Sequence, residues 1–143
     1  MCGIAGWVGK NTLSKSLRTD YSNLVSEIIR YQNHRGPDGN GIWKDDNHSV
    51  VLGHNRLSII DLSDTGSQPM EDNTGRYVIT YNGELYNYKS LKKSLQNKFG
   101  VEFRGSSDTE VFLNGIICFG IDEFLRLADG MFAAVIYDKK EEE

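Results

Sequence analysis

The stretch MCGIAGWVGK (residues 1–10) places a cysteine directly behind the initiator methionine and follows it with a short, glycine-rich apolar run. Residues 3–9 predict a buried strand that starts at the N-terminus itself. Because Cys2 is small, we expect Met1 to be removed, which would leave a free α-amine beside the Cys2 thiol. An α-amine has a reference pKa of about 7.7–8.0, so at neutral pH it can accept and return a proton as a general base. A small residue at position 2 is nevertheless common for processing reasons alone.

The length and composition are those of one ordinary globular domain with a real core. The formal net charge of −4, without a strongly basic patch, argues against nucleic acid as the main partner. We expect neither a membrane span nor a signal peptide, and therefore a cytoplasmic protein without a membrane partner. In a reducing cytosol, Cys2 and Cys118 are expected to stay unpaired rather than to form a disulfide.

Periodicity along the chain predicts an α/β (α+β) fold with mostly antiparallel strand pairing. Helices are expected from Asp20 to about His34, over 87–99, and from Ser107, which opens a capping box, to about Phe119. Further strands are expected over 41–44, 49–60, 76–82, 100–105 and 130–140, with loops over 35–41 and 61–75. The second loop is polar and long enough to suggest a function.

The last predicted strand is almost wholly apolar from Met131 to Tyr137, and the charged residues DKKEEE (138–143) follow it. An apolar strand of this kind needs neighbours on both sides, and a charge-rich turn commonly leads into one. We therefore expect residues 1–143 to be one domain that is incomplete at its C-terminal end and belongs to a longer protein. The alternative is a natural solvated tail.

The histidines and cysteines show no paired spacing typical of metal ligands, so the sequence predicts no metal site. His54 lies inside a predicted strand, and we expect it to be a structural histidine with its hydrogen bonds satisfied. Cys118 lies in an apolar helical stretch, which favours a small core residue over a reactive thiol.

Asn82 and Gly83 offer a side-chain amide and a backbone N–H side by side. Two such donors can point at one oxygen and form an oxyanion hole, although Asn-Gly is also a common hairpin turn. Arg56 suits the carboxylate of an amino-acid substrate, and the acids Glu84 and Asp108 suit its ammonium group. Each charge by itself is more typical of a solvated surface, so only the combination indicates a site.

Seven motifs occur in order between residue 1 and about residue 138: MCGIAG, HRGPDG, LGHNRLSIIDLS, QPM, YNGELYN, SSDTEV and DGMFAAVIYD. In this order they resemble the class II glutamine amidotransferase domain of glutamine-dependent asparagine synthetases. The forms HRGPD, RLSIID and NGELYN resemble that branch rather than the glucosamine-phosphate synthase or amidophosphoribosyltransferase branches. The resemblance implies an N-terminal-nucleophile hydrolase fold, which is a four-layer αββα sandwich with largely antiparallel sheets.

The same resemblance implies a role for each candidate residue. Cys2 matches the nucleophile, and the Asn82 side chain and Gly83 N–H match the oxyanion hole. The positions that match the L-glutamine-binding residues are Arg56 for the α-carboxylate, Glu84 and Asp108 around the α-amino end, and Ile59 and Ile60 in the pocket wall, together with Asn82 and Gly83.

The implied reaction is glutamine hydrolysis, in which Cys2 attacks the side-chain amide and ammonia and glutamate are released. The ammonia would pass to an ATP-dependent synthetase domain of the same polypeptide, which these residues do not include. ATP and magnesium are expected only there, so no cofactor is expected in this chain. Two alternatives stay open: a non-catalytic glutamine-binding or interaction module, and an amidotransferase domain whose acceptor is not aspartate. A homodimer is one of the assemblies that the sequence leaves open.

Overall fold

The computed structural model describes residues 2–9, 21–45 and 49–143. Its strands are β1 (Gly3–Val8), β2 (Gly39–Lys44), β3 (Val50–Arg56), β4 (Met70–Glu71), β5 (Tyr77–Leu85) and β6 (Gly130–Asp138). Its helices are α1 (Ser22–Tyr31), α2 (Tyr88–Phe99), α3 (Asp108–Phe119) and α4 (Ile121–Leu127), and short 3-10 helices cover Asn33–Arg35 and Asp64–Gly66. Asp20, the predicted start of the first helix, lies outside the described residues.

The first sheet has the strand order β1-β3-β2, and helix α1 covers its outer face. Side chains alternate along β3, so Val51 packs against α1 while Leu52 points the other way. Gly53 lets the helix rest directly on the strand, because an added Cβ would lie 2.7 Å from Val25 and 2.8 Å from Ile29. The apolar side chains of β1, α1 and β3 thereby form the outer half of the core.

The second sheet has the order β4-β5-β6 and packs between the first sheet and helices α2, α3 and α4. Ile79 and Tyr81 of β5 face the helices, whereas Val78 and Thr80 face the first sheet. The Thr80 hydroxyl donates to the Gly53 carbonyl at 3.2 Å and ties the two sheets together. The predicted four-layer αββα sandwich with antiparallel pairing is confirmed.

The strand predicted over 100–105 is wrong, because this segment is a loop fastened to α3. The Glu110 carboxylate accepts the backbone N–H of Arg104 at 2.9 Å, so that N–H is not available to a neighbouring strand. The same engagement changes the predicted capping box: Ser107 caps α3 by accepting from Thr109 N at 3.1 Å, while Glu110 turns to the loop.

Edge positions explain the exposure of two apolar strands. Val8 in β1 is 72% exposed although this strand was expected to be buried, and Met131 in β6 is 65% exposed, as an apolar strand without a neighbour on one side would be. β1 and β6 each lie at the side of a three-stranded sheet, so within the described ranges each has a strand neighbour on one side only. Apolar composition predicts strands here correctly but does not tell which strand is central.

Other elements also differ from the expectations. β2 begins at Gly39, inside the predicted loop, and the strand predicted over 49–60 ends at Arg56. The polar segment 61–75 contains a 3-10 helix and β4, and α4 was not expected at all. The early end of β3 matters most for function, because residues 57–60 become free to form the wall of a pocket.

Candidate active site

A pocket of about 790 Å³, counting the open solvent at its mouth, lies beside the ends of β3 and β5 and the start of β1. It is lined by every site residue that the sequence predicts: Cys2, Arg56, Ile59, Ile60, Asn82, Gly83, Glu84 and Asp108. The fold thus gathers residues that lie up to a hundred positions apart. Lining residues that sequence reasoning missed include Leu57, Asp61, Gln68, Tyr81 and Met131.

Cys2 is half-buried and is held at the start of the first sheet, where Gly3 pairs with Asn55 of β3. The backbone N–H of Leu57 points at the Cys2 sulfur at 3.4 Å, and Arg35 Nε donates to the Cys2 carbonyl at 3.1 Å. These contacts fix both the main chain and the sulfur position. An N–H aimed at sulfur stabilises negative charge there, as a nucleophilic thiolate requires.

Cys118 differs from Cys2 in its surroundings. It is a free, half-buried thiol on α3, packed against the core, and burial raises its pKa. Both cysteines are unpaired, as expected, and Cys118 is the small core residue that the sequence indicated. Within residues 2–9, 21–45 and 49–143, no group of three His, Cys, Asp or Glu side chains is placed to hold a metal ion.

The edge of β5 opposite β6 is here called the open edge, because in the part of the chain that the structure describes no strand pairs with it beyond the two residues of β4. On this edge, Tyr81 N–H donates to Gln68 Oε1 at 2.6 Å and Leu85 N–H donates to Asp108 Oδ2 at 3.0 Å. Successive N–H groups along a strand alternate in direction, so the Gly83 N–H lies on the open edge between these two. It therefore faces the pocket, beside Asn82.

Two buried side chains hold the residue before Asn82. Gln68, which takes the Tyr81 N–H, also donates to Thr109 Oγ1 at 3.2 Å, and His54 Nε2 lies 3.2 Å from the Tyr81 carbonyl oxygen. A carbonyl only accepts, so Nε2 is the protonated nitrogen of a neutral ring. Burial lowers the pKa of His54 to about 4.

The Nδ1 of His54 is buried and has no hydrogen-bond partner in the described part of the chain. The expectation of a fully satisfied structural histidine is therefore wrong for this one nitrogen. Once Nε2–H donates, Nδ1 is left as a buried acceptor without a donor among the described residues.

Arg56, the last residue of β3, is held by the loop that follows it. Its Nη1 donates to the Ser63 carbonyl at 2.9 Å, and its Nη2 donates to the Asp61 carbonyl. A guanidinium carries five N–H donors in a planar fork, so donors remain for a carboxylate in the pocket. The loop therefore fixes the orientation of the group that would bind an α-carboxylate.

Asp108 is buried at the first position of α3, and burial raises its pKa. Besides the Leu85 N–H, its Oδ2 lies 3.4 Å from the Tyr81 hydroxyl, and the same burial raises the pKa of Tyr81. Glu84 is exposed at the pocket rim. The site thus carries acidic groups from α3 and β5 and a basic group from β3, which suits a zwitterionic amino acid.

The model of the family described as the glutamine amidotransferase domain matches residues 1–143. The chain belongs to this family. The glutamine amidotransferase domain is 37% identical to asparagine synthetase (glutamine-hydrolyzing) 1 of Arabidopsis thaliana, over 99% of this chain and 22% of that protein. It is 36% identical to asparagine synthetase B (glutamine-hydrolyzing) of Escherichia coli (strain K12), over 99% of this chain and 24% of that protein.

The domain is also 39% identical to amidase chry2 of Gibberella zeae, over 100% of this chain and 22% of that protein. The chain therefore spans between a fifth and a quarter of the length of these curated relatives. Among solved structures, the glutamine phosphoribosylpyrophosphate amidotransferase from B. subtilis shares the fold, with a TM-score of 0.73 and 21% identity over 97% of this chain and 35% of that chain. None of the helices in the described ranges is long and apolar enough to span a membrane.

Proposed function

We propose that this glutamine amidotransferase domain hydrolyses the side-chain amide of L-glutamine to glutamate and ammonia. One observation carries the proposal: Cys2, the donor pair Asn82 and Gly83, and the opposite charges of Arg56 and Asp108 all line one pocket. This set contains a nucleophile, an oxyanion site and a recognition group for each end of an α-amino acid.

Substrate orientation follows from the charges. The α-carboxylate of glutamine binds the free N–H groups of Arg56, and the α-ammonium group lies near Asp108 and Glu84. Ile59 and Ile60 contact the aliphatic part of the substrate. The side-chain amide then extends toward Cys2, with its oxygen toward the open edge of β5.

The chemistry follows from that pose. Once Met1 is removed, the Cys2 α-amine takes the thiol proton, and the thiolate attacks the amide carbon of the substrate. Asn82 and Gly83 stabilise the negative oxygen of the tetrahedral intermediate. The C–N bond then breaks, and the α-amine returns its proton to the departing ammonia. Water hydrolyses the remaining γ-glutamyl thioester, which releases glutamate and restores the thiol.

We further infer that residues 1–143 belong to a longer cytoplasmic polypeptide whose synthetase domain consumes the ammonia. The asparagine synthetases at 36–37% identity support this inference, and the ATP and magnesium of that step would bind outside this chain. Amidase chry2, at 39% identity, is named as an amidase and not as an asparagine synthetase, so the relatives do not agree on one activity. An acceptor other than aspartate is therefore the second candidate.

A diazoketone analogue of glutamine tests the proposal by intact mass and peptide mapping. In the chain freed of Met1, we expect one adduct, located on Cys2, and release of glutamate from glutamine. Cys2→Ala should abolish both, whereas Cys118→Ala should change neither. Glutamine hydrolysis by Cys2→Ala would refute the mechanism. Glutamine binding without adduct or hydrolysis would instead support the glutamine-binding module.

A further inference from the structure

The carboxylate of Asp61 is only 7% exposed and accepts hydrogen bonds on both oxygens. Oδ1 accepts from Ser63 N at 2.9 Å and from Ser63 Oγ at 2.6 Å. Oδ2 accepts from Ser106 N at 2.8 Å, Ser106 Oγ at 3.1 Å and Thr65 Oγ1 at 3.1 Å. These donors, Ser63 first, hold the pKa of Asp61 well below its usual range, so it is ionised throughout the neutral range.

This carboxylate lies between the two recognition groups of the proposed site. On one side, the turn that Asp61 and Ser63 form supplies both carbonyls that hold the Arg56 guanidinium. On the other side, Ser106 immediately precedes the N-cap of α3, whose first residue is Asp108. The Asp61 side chain thus connects the loop that orients Arg56 to the loop that precedes Asp108.

The loops around this connection are closely packed. A Cβ on Gly66 would lie 2.3 Å from Arg56 Nη2, and a Cβ on Gly105 would lie 2.7 Å from Asp61 Oδ2. Lys92 also donates to the Gly105 carbonyl at 2.6 Å, which anchors the second loop to α2. The relative position of the two loops is therefore set by direct contact.

We propose that Asp61 is a positioning residue that sets the spacing between Arg56 and Asp108 to match the two charged groups of one α-amino acid. This inference rests on the proposed function, which gives Arg56 and Asp108 their roles. The carboxylate and ammonium of an α-amino acid sit on the same carbon, so their partners must be placed to within about 0.5 Å. Because protein donors occupy both oxygens of Asp61, it acts through its neighbours and not on the substrate.

Asp61→Asn tests this role. The side chain keeps its size, but one accepting oxygen becomes an NH2 group, which would face the N–H and O–H donors of Ser106 or Ser63. In the chain freed of Met1, we expect the KM for glutamine to rise by about tenfold or more while kcat changes by less than about threefold. The exposed neighbour Asp64, whose side chain makes none of these contacts, provides the matched control Asp64→Asn, which should behave like the parent chain.

Two substrate analogues distinguish a positioning role of Asp61 from a general structural role in the site. Glutaramate lacks the α-amine and 4-aminobutanamide lacks the α-carboxylate, so neither depends on the spacing of both partners. As competitive inhibitors, each should bind Asp61→Asn within about threefold of its affinity for the parent chain, unlike glutamine. Equal weakening of glutamine and both analogues, or a fall in kcat at constant KM, would overturn the proposal.

Ser106→Ala is a milder variant that removes one donor to Asp61 and keeps the backbone N–H. It should raise the KM for glutamine by a smaller factor, and it keeps the proposal falsifiable if Asp61→Asn does not fold. A parent chain that binds glutamine without hydrolysing it would refute the proposed function alone. The glutamine Kd of the same variants, measured by calorimetry, would then still decide the role of Asp61.

Discussion

His54 Nε2 lies 3.2 Å from the carbonyl oxygen of Tyr81, and this contact joins the two sheets one residue before Asn82. His54 belongs to β3 and pairs with Ile4 of β1, the strand that begins beside Cys2. The donor pair of the proposed oxyanion site therefore sits at a fixed distance from the strand that carries the nucleophile.

His54 should make stability depend on pH. Its pKa is lowered to about 4 in the folded chain, against about 6.5 in the unfolded chain. Between these values the unfolded chain binds a proton that the folded chain does not, so stability is full above pH 6.5 and falls as the pH drops toward 4. We expect protonation of His54 to lower the free energy of unfolding by about 3 kcal/mol over that window. Urea unfolding at several pH values measures it.

Two variants assign that pH dependence. His54→Gln removes the titrating ring and should flatten the slope between pH 4.5 and 6.5, whereas His34→Gln, at an exposed position, should leave it unchanged. Asp61 and Asp72 have lowered pKa values and lose their contribution mainly below about pH 4. Asp108, whose pKa is raised, adds a slope of opposite sign that both variants retain, so the difference between the variants isolates His54. An unchanged slope in His54→Gln would contradict the assignment.

Asn82→Ala should lower kcat for glutamine hydrolysis by about 10²–10³, with a much smaller effect on KM. The Asn82 amide is expected to contact the oxygen only when it becomes negative, so its loss affects the transition state more than the bound substrate. Steady-state release of glutamate measures both constants. Asn40→Ala, on the exposed face of β2, serves as the control, and a normal kcat in Asn82→Ala would remove this residue from the oxyanion site.

Arg56→Lys should raise the KM for glutamine by about tenfold or more and change kcat less. Lysine keeps the charge but lacks the planar fork that binds the Ser63 and Asp61 carbonyls and a carboxylate together. Arg126→Lys on the surface of α4 should have no effect on either constant. Steady-state kinetics of the parent chain and the two variants test this. If Arg56→Lys changed the KM for glutamine no more than Arg126→Lys does, Arg56 would not be a glutamine-binding residue.

Gly83→Ala should destabilise the domain by about 1–3 kcal/mol, because the new Cβ would lie 2.5 Å from the Met131 carbonyl oxygen and 2.5 Å from the Phe132 Cβ. Gly39→Ala is a matched strand control whose Cβ would find only an ordinary contact at 3.9 Å with Arg56. Chemical denaturation compares the two variants, and equal stabilities would show that β5 and β6 separate readily at this point.

Sequence reasoning was most effective where chemistry is concentrated in short motifs. The site residues predicted from motifs between Cys2 and Asp108 all line the pocket, and most strands followed from apolar runs. The contacts of Asp61 could not be predicted, because in the sequence this residue is only the start of a polar loop. Its importance comes from donors contributed by Ser106, forty-five positions away.

Burial was predicted less well than strand position. Apolar runs at β1 and β6 correctly indicated strands, but edge or centre is decided by which strands pair, and pairing is a long-range property. The loop 100–105 illustrates the same limit, since its backbone donors are taken by Glu110. Single-residue polar contacts of this kind leave no periodic signal in the sequence.

The brevity of β4 has a consequence for how such a site could be switched off. If β5 paired with a neighbouring strand along its whole length on this side, every backbone N–H on this edge would be hydrogen-bonded within the sheet. Because Met70 and Glu71 pair only with Ile79 and Val78, folding leaves amide hydrogens further along uncommitted by the sheet. A peptide that lengthened this short strand past Tyr81 would take the Tyr81 N–H from Gln68 and the Leu85 N–H from Asp108, and it would cover the Gly83 N–H, so completing the sheet would silence the domain.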